Sequence, residues 1–300
     1  MKSTAVVLIH IGSELPPHVI FCLEQLRKFY GGDITFLVEE KLRSNPIFDK
    51  YNVNTTSLES LAEHNSTLDE FRRVSFMHNW GAFWHVTYER LFYLQQYMEV
   101  VRYDSIIHIE NDILVYTDIE NLWNMLGSLY KDKVAINPVG DKHSAIAFTY
   151  IDNIATLKKV NKSIITFIAK GERALQRLTN ESLVSEMIIL DYMRKNGYLM
   201  LDILPLSPSS TNSCNRNLDK MNLLFDGASW GQYVGGTTDK IPGWAGSHHY
   251  VGRDIQSGLY TVEWTRDEKN RKVPLVVGSC EPTRLANLHI HSKQLELYLS

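Results

Sequence analysis

The sequence predicts an α/β protein: a three-layer α/β/α sandwich with a mainly parallel central sheet and antiparallel strands added towards the C-terminus. Short unbroken apolar runs alternate with stretches of helical periodicity in the first part of the chain. A strand, a helix and a second strand fit within residues 5–38, the length of a βαβ unit. The later strands interleave less regularly with helices and include a hairpin, which calls for antiparallel pairing.

Ala5 to Ile11 is a continuous apolar run, as in a strand buried on both faces of a parallel sheet. Helical spacing follows from about Val19 to Tyr30, carried by Leu23, Leu26 and Tyr30, and Gly31-Gly32-Asp33 ends it. Ile34 to Val38 is the second strand, while residues 40–80 are more polar and give no clear element. A long helix spans Ala82 to Met98, with Phe83, Val86, Leu91, Leu94 and Met98 in helical recurrence, and the strand Ser105 to Ile109 comes next. Ile119 to Leu129 reads as a helix, Val134 to Asn137 and Ala145 to Tyr150 as strands, and 151–169 and 182–196 as helices. Asn180 or Ser182 stands near the start of the last helix and Gly197 just past its end. Leu199 to Leu204 is a strand stopped by Pro205. Residues 207–257 form a long irregular region with scattered aromatics, and such loops in compact domains tend to be functional. Leu259 to Trp264 and Lys272 to Val277 flank Asp267–Arg271 as a hairpin, Asn287 to His291 closes the sheet, and a short helix ends the chain.

The 300 residues are 44% hydrophobic and 22% charged, ample for a core. A net charge of -3 leaves no excess of Lys and Arg to coat a phosphate backbone, so a nucleic-acid partner is not expected. Three widely spaced cysteines, Cys22, Cys214 and Cys280, fit reduced thiols better than a disulfide framework or a thiolate zinc site. The first apolar run is too short for a membrane span, and no later stretch reaches ~18 uninterrupted apolar residues. A cytoplasmic protein is expected, with membrane contact at most peripheral.

The strand at Ser105–Ile109 delivers Glu110-Asn111-Asp112 to the sheet edge where ligands of α/β folds bind. Carboxylates two residues apart in an extended segment point the same way. Together they can hold Mg²⁺ or Mn²⁺ and leave coordination positions open for phosphate. Such an ion neutralises a leaving diphosphate. Near the C-terminus, Asn287-Leu288-His289-Ile290-His291-Ser292-Lys293 puts two histidines on one side of a short strand, followed by a lysine. Imidazole suits Mn²⁺, and lysine suits phosphate as a point charge. The spacing does not decide which histidine binds.

Five segments together resemble the small GT-A-fold glycosyltransferases of bacterial polysaccharide gene clusters and large algal viruses. They are Phe83 to Leu94, His108 to Tyr116, Ser185 to Leu190, Phe225 to Gly236, and Asn287 to Lys293, in the family's order. The resemblance implies a single GT-A-like domain over 1–300, with a nucleotide-binding half at about 1–116 and an acceptor-binding half at about 117–300. It sets Glu110 and Asp112 at the metal-binding D-x-D position, with Glu one methylene longer than the usual Asp. One of His289 and His291 would be the remaining protein ligand. Thr87 and Arg90 would reach the nucleotide or diphosphate, and the loop around His10 and Gly12 would seat base and ribose. Asn111, Gly235, Gly236 and Lys293 complete the expected nucleotide-sugar contacts.

The implied reaction moves a sugar from a nucleoside-diphosphate sugar, UDP-linked, to a saccharide hydroxyl, with inversion expected and retention left open. An inverting transferase needs a base near the acceptor hydroxyl. Glu186, early on the 182–196 helix, is the preferred candidate, and Asp226 in the glycine-rich segment is expected to bind substrate hydroxyls. Both also have structural roles to play, as a first-turn acid and an Asx turn respectively. Trp230, Tyr233 and Trp244 are candidates for stacking on sugar faces, with core packing the equal alternative for each. The competing expectations are a non-catalytic nucleotide-sugar-binding protein and a sugar nucleotidyltransferase. The latter is disfavoured because His10 to Pro17 carries no basic phosphate loop, and the absence of H-E-x-x-H speaks against a metalloprotease.

Overall fold

The computed structural model describes residues 3–77, 81–198, 200–209, 213–235 and 250–300. The expected βαβ unit is present: β1 (Thr4–Ile9) and β2 (Ile34–Val38) lie parallel, joined through α1 (Val19–Phe29). The polar stretch at 40–80 holds α2 (Pro46–Lys50), β3 (Asn54–Ser57), α3 (Leu58–Ala62) and α4 (Ser66–Val74). Its three helices start on side-chain caps, with Asn45, Ser57 and Asn65 accepting from the amides of Ile47, Ser60 and Leu68. The strand β3 reads Asn-Thr-Thr-Ser and lies at a sheet edge, so no apolar run announces it.

Helix α5 (Ala82–Val101) ends on Arg102, whose φ of 61° breaks the helix, and β4 (Ser105–Ile109) then lies parallel to β1. Next come β5 (Ile113–Val115), α6 (Ile119–Leu129), β6 (Val134–Gly140), β7 (His143–Ile151) and α7 (Ile154–Ile168). They are followed by α8 (Glu172–Thr179), α9 (Glu186–Lys195) and β8 (Leu201–Ile203). Neither Asn180 nor Ser182 caps α9. Asn180 is left-handed and closes α8, and Ser185 takes the cap position.

The described part of the irregular region contains α10 (Leu218–Met221), β9 (Leu223–Leu224), α11 (Trp230–Gly235) and α12 (Tyr250–Gln256). The hairpin of β10 (Tyr260–Arg266) and β11 (Lys272–Gly278) is as expected, followed by β12 (Thr283–Leu285) and β13 (Asn287–His289).

The main sheet has the order β3-β2-β1-β4-β7-β6-β8. Its first four strands are parallel, β7 runs antiparallel to both β4 and β6, and β8 is parallel to β6. The C-terminal segment does not close this sheet. Both edges of β4 are taken by β1 and β7, so β13 pairs antiparallel with β5 in a separate ribbon. The hairpin likewise belongs to a second sheet, β10-β11-β12-β9.

Alternation along β1 separates the two cores. Val6 and Leu8 pack with Phe29 and Leu122 of α1 and α6, while Ala5 and Val7 pack with Leu91, Ile164 and Ile189 of α5, α7 and α9. Side chains as fully buried as Val6, Val7 and Leu8 each stabilise the fold by roughly 1.5–3 kcal/mol. Helices therefore cover both faces of the sheet, as the sequence predicts.

Candidate active site

Strand β4 ends at Ile109, and Glu110 continues its pairing by donating its amide to Ala147 O at 2.9 Å. The chain then turns, with the Ile113 amide on Glu110 O at 3.2 Å. Glu110 and Asp112 thus converge through a tight turn, where the sequence led us to expect an extended segment. The ribbon of β5 and β13 supplies the third group: His289 lies opposite Ile113, and the Ile290 amide donates to Asp112 O at 3.1 Å.

His289 Nε2 stands 3.0 Å from Asp112 Oδ2 and 3.5 Å from Glu110 Oε2. Glu110, Asp112 and His289 each offer one ligand atom, all within 4.8 Å of one another. This mixed oxygen and nitrogen set suits Mn²⁺ or Mg²⁺. On its far side, His289 Nδ1–H donates to Gly227 O at 2.8 Å, which fixes the ring and aims Nε2 at the carboxylates. The His291 ring lies against that of His289, tilted by 40° with centroids 4.3 Å apart, and lines the cavity without joining the ligand cluster.

The charges are strongly interlocked. Burial works to lower the His289 pKa, but Asp112 and Glu110 outweigh it and raise it to about 9. Burial tends to raise Asp112, yet His289 and Lys293 hold its carboxyl well below the ordinary range. Lys293 donates to Asp112 Oδ2 from a left-handed backbone position, φ 64°. For His291, burial and the neighbouring His289 push the pKa down to about 3, so its ring is neutral.

Arg90 reaches from α5 into the same cluster, donating to Glu110 Oε1 through Nη1 and to Glu186 Oε1 at 3.3 Å through Nη2. Its guanidinium thus ties two carboxylates from separate elements together at the cavity. Glu186, in the first turn of α9, is buried, and that burial raises its pKa despite Arg90. Thr87 lines the cavity beside it, its hydroxyl donating to Trp84 O at 3.0 Å.

At the end of β1, Asn111 bridges two histidines: its Nδ2 donates to His10 Nδ1 at 3.4 Å, and its Oδ1 lies 3.2 Å from His18 Nε2. His18 is a site residue that sequence reasoning missed. Pro16-Pro17-His18 carries no spacing signal, and only the fold sets it beside Asn111.

All these groups except His18 line one cavity of about 490 Å³, walled by Ile11, Trp84, Val86, Met187 and Ala228. A larger cavity of about 730 Å³ opens at the opposite edge of the sheet, by Ser3, Asp33 and Trp123. It holds no converging ligand set among the described residues.

Several expected contacts take other places. Asp226 is fully buried and does not line the cavity. Its carboxylate accepts from the amides of Ser229, Trp230, Gly231 and His289 at 2.7, 3.0, 2.7 and 2.9 Å. It caps α11 and clamps β13, so its expected role on substrate hydroxyls gives way to a structural one. Gly231 makes that clamp possible, because a Cβ there would lie 1.9 Å from His289 O. Gly12 packs against the His10 ring outside the cavity lining, and Gly235 is the last residue of α11. Gly236 and Trp244 lie outside the described residues. Trp230 is a core residue, fully buried, with Nε1–H donating to Leu206 O at 2.9 Å, and Tyr233 packs against the same core.

Asp226→Ala would leave four buried amides without their acceptor, at about 1–3 kcal/mol each. We expect its thermal unfolding midpoint to fall sharply, checked by circular dichroism, with Asp226→Asn intermediate. A midpoint unchanged in the alanine variant would contradict the clamp.

No protein-family model matches the sequence, and no curated protein matches it. Among solved structures, mouse xyloside xylosyltransferase 1 in its apo form superposes with a TM-score of 0.50. The overlap covers 67% of this chain and 84% of that one, at 10% sequence identity. The fold is of the GT-A type. Looser overlaps, at TM-scores of 0.39 and 0.38, occur with a cytidylyltransferase from Leptospira borgpetersenii serovar Hardjo-bovis and with PaToxG glycosyltransferase. Identity is 12% over 72% of this chain and 79% of the former, and 11% over 66% of this chain and 70% of the latter. In the GT-A frame, the acid-x-acid turn follows the fourth strand of the main sheet, and the histidine reaches it from the C-terminal ribbon.

Proposed function

We propose that this chain is a metal-dependent glycosyltransferase that moves a sugar from a UDP-linked nucleotide sugar to a saccharide hydroxyl with inversion. The observation that carries this reading is the convergence of Glu110, Asp112 and His289 in a cavity that also contains Arg90, Lys293 and Glu186. Glu110, Asp112 and His289 would hold Mn²⁺ or Mg²⁺, which supplies charge neutralisation for the leaving diphosphate when bound. Lys293 and Arg90 add positive charge beside it, where phosphate oxygens compete with Asp112 and Glu110 for them. His10 and Asn111 would contact base and ribose from the end of β1, with His18 holding Asn111 from behind. The apolar walls limit water near the reacting centre, which guards the donor against hydrolysis.

In the chemical step the acceptor oxygen attacks the anomeric carbon as the bond to the diphosphate breaks. The acceptor proton passes to Glu186, whose burial-raised pKa makes it a stronger base than an ordinary glutamate. On this reading 1–300 acts as one domain, with residues 1–116 on the donor side and Glu186 on the acceptor side.

Calorimetric titration of nucleoside diphosphates with Mn²⁺, Mg²⁺ or EDTA tests the reading. Metal-dependent binding of UDP is expected. Binding indifferent to metal would sink it, and binding without any sugar release on incubation with donor and acceptors would favour the non-catalytic alternative. Preference for a nucleoside triphosphate would favour the nucleotidyltransferase.

A further inference from the structure

The chain carries a net charge of -3, yet residues 154–179 contain six Lys and Arg against one acid. Those residues are α7, α8 and the short turn between them, which carries Lys170, and Lys158, Lys159, Lys162, Lys170, Arg173 and Arg177 are all exposed. Lys158, Lys159 and Lys162 share a helix face by their three- and four-residue spacing, as do Arg173 and Arg177. The inner side of α7 packs on α4 and α5. Of these six, Lys158 alone forms an ion pair among the described residues, with Glu99 at 3.0 Å.

A second feature coincides with this charge. Of the six large apolar residues exposed on the molecule's described surface, four adjoin these helices. Val100 and Val101, 62% and 43% exposed, end α5 beside the Glu99–Lys158 pair. Leu178 and Leu183, 44% and 37% exposed, lie in the last turn of α8 and the loop behind it. Lysine-rich helices fringed by exposed aliphatic side chains match the interface of an anionic bilayer, where headgroups attract the charges and the aliphatic groups enter the acyl boundary. Nucleic acid would make no use of the valines and leucines, and among the described residues this face has no large exposed aromatic ring for base stacking.

We infer that the outer face of α7 and α8 docks on an anionic lipid bilayer. α7 has 15 residues, a contact line roughly 22 Å long at ~1.5 Å per residue. The loop from Asn180 to Ser185 leads directly from this face to Glu186, so docking would hold the candidate active site close to the membrane surface. The inference is independent of the proposed reaction.

Co-sedimentation of the full chain with phosphatidylcholine vesicles, with and without phosphatidylglycerol, tests it. Binding is expected only to the anionic vesicles and should weaken as salt rises. Each charge reversal among Lys159→Glu, Lys162→Glu, Arg173→Glu and Arg177→Glu should cost about five-fold or more in partitioning at low ionic strength. Melting temperature and nucleotide binding should be unchanged in these variants. Val100→Ser with Leu178→Ser should lower the binding that remains at high salt. Absent sedimentation, equal binding to neutral vesicles, or a charge-reversed chain that sediments like the wild type would overturn the inference. So would a serine pair without effect combined with tighter binding to RNA, which would mark a surface for polyanions in general.

Discussion

Asp112→Ala is expected to abolish metal-dependent nucleotide binding, with affinity in Mn²⁺ falling by more than ~100-fold. Asp112 is the meeting point of the cluster: His289 Nε2 lies 3.0 Å from its Oδ2, and Lys293 donates to the same oxygen. Removing it takes away one ligand, leaves the buried His289 with Glu110 at 3.5 Å as its remaining carboxylate, and strips the exposed Lys293 of its acidic partner. Residual binding in the variant should equal that of the wild type in EDTA. Calorimetry with UDP and Mn²⁺ reads this directly, and undiminished, still metal-dependent binding would show that the ion sits elsewhere. The two histidines separate in the same assay. His289→Ala should behave like Asp112→Ala, because only His289 joins both acids with its other nitrogen anchored on Gly227. His291→Ala should retain metal dependence, because His291 lies tilted against His289 outside the ligand set.

What the sequence made legible was local. The unit of β1, α1 and β2 and the acids after β4 stand out because apolar runs, helical spacing and strand ends are read within a short window. The strand β3 and the helices at 40–80 were lost because their polar, side-chain-capped sequence carries little apolar periodicity. The placement of β7 between β4 and β6, and of β13 on β5 instead of the main sheet, depends on which edges remain free. No single stretch of sequence encodes that. The same holds for the site. Arg90 and Glu186 are far apart in the chain and meet only because α5 and α9 pack on the same face of the sheet. Asp226 in its glycine-rich segment looks equally suited to ligand binding and to capping, and only the four amides around its carboxylate decide. The resemblance to GT-A enzymes orders the motifs where spacing alone does not, and Glu110, Asp112, His289 and Lys293 lie together in the fold.

Glu186→Gln is expected to lower kcat by about 10²–10⁴-fold while leaving metal and nucleotide binding close to the wild type, the range lost with a general base. The amide keeps the side chain's shape and can still accept from Arg90 Nη2, so the loss would reflect proton transfer more than altered packing. Burial raises the Glu186 pKa, Arg90 offsets this in part, and Glu110 adds to the rise. A base must be deprotonated to act, so the wild-type rate should fall as pH drops through this raised value. The acidic limb should therefore lie above the ordinary glutamate range and be absent from the residual rate of Glu186→Gln. The stability sign is opposite. A carboxyl whose folded pKa is raised stabilises the fold below its unfolded pKa, and that contribution is lost as pH rises through the folded value. Glu186→Gln should accordingly be at least as stable as the wild type at neutral pH, so a fall in kcat there would not come from unfolding. A variant that keeps the wild-type kcat would remove Glu186 from the chemical step, while a loss confined to KM would make it a substrate-positioning residue. A raised acidic limb in the wild type that disappears with the substitution is the result that only proton transfer at Glu186 would produce.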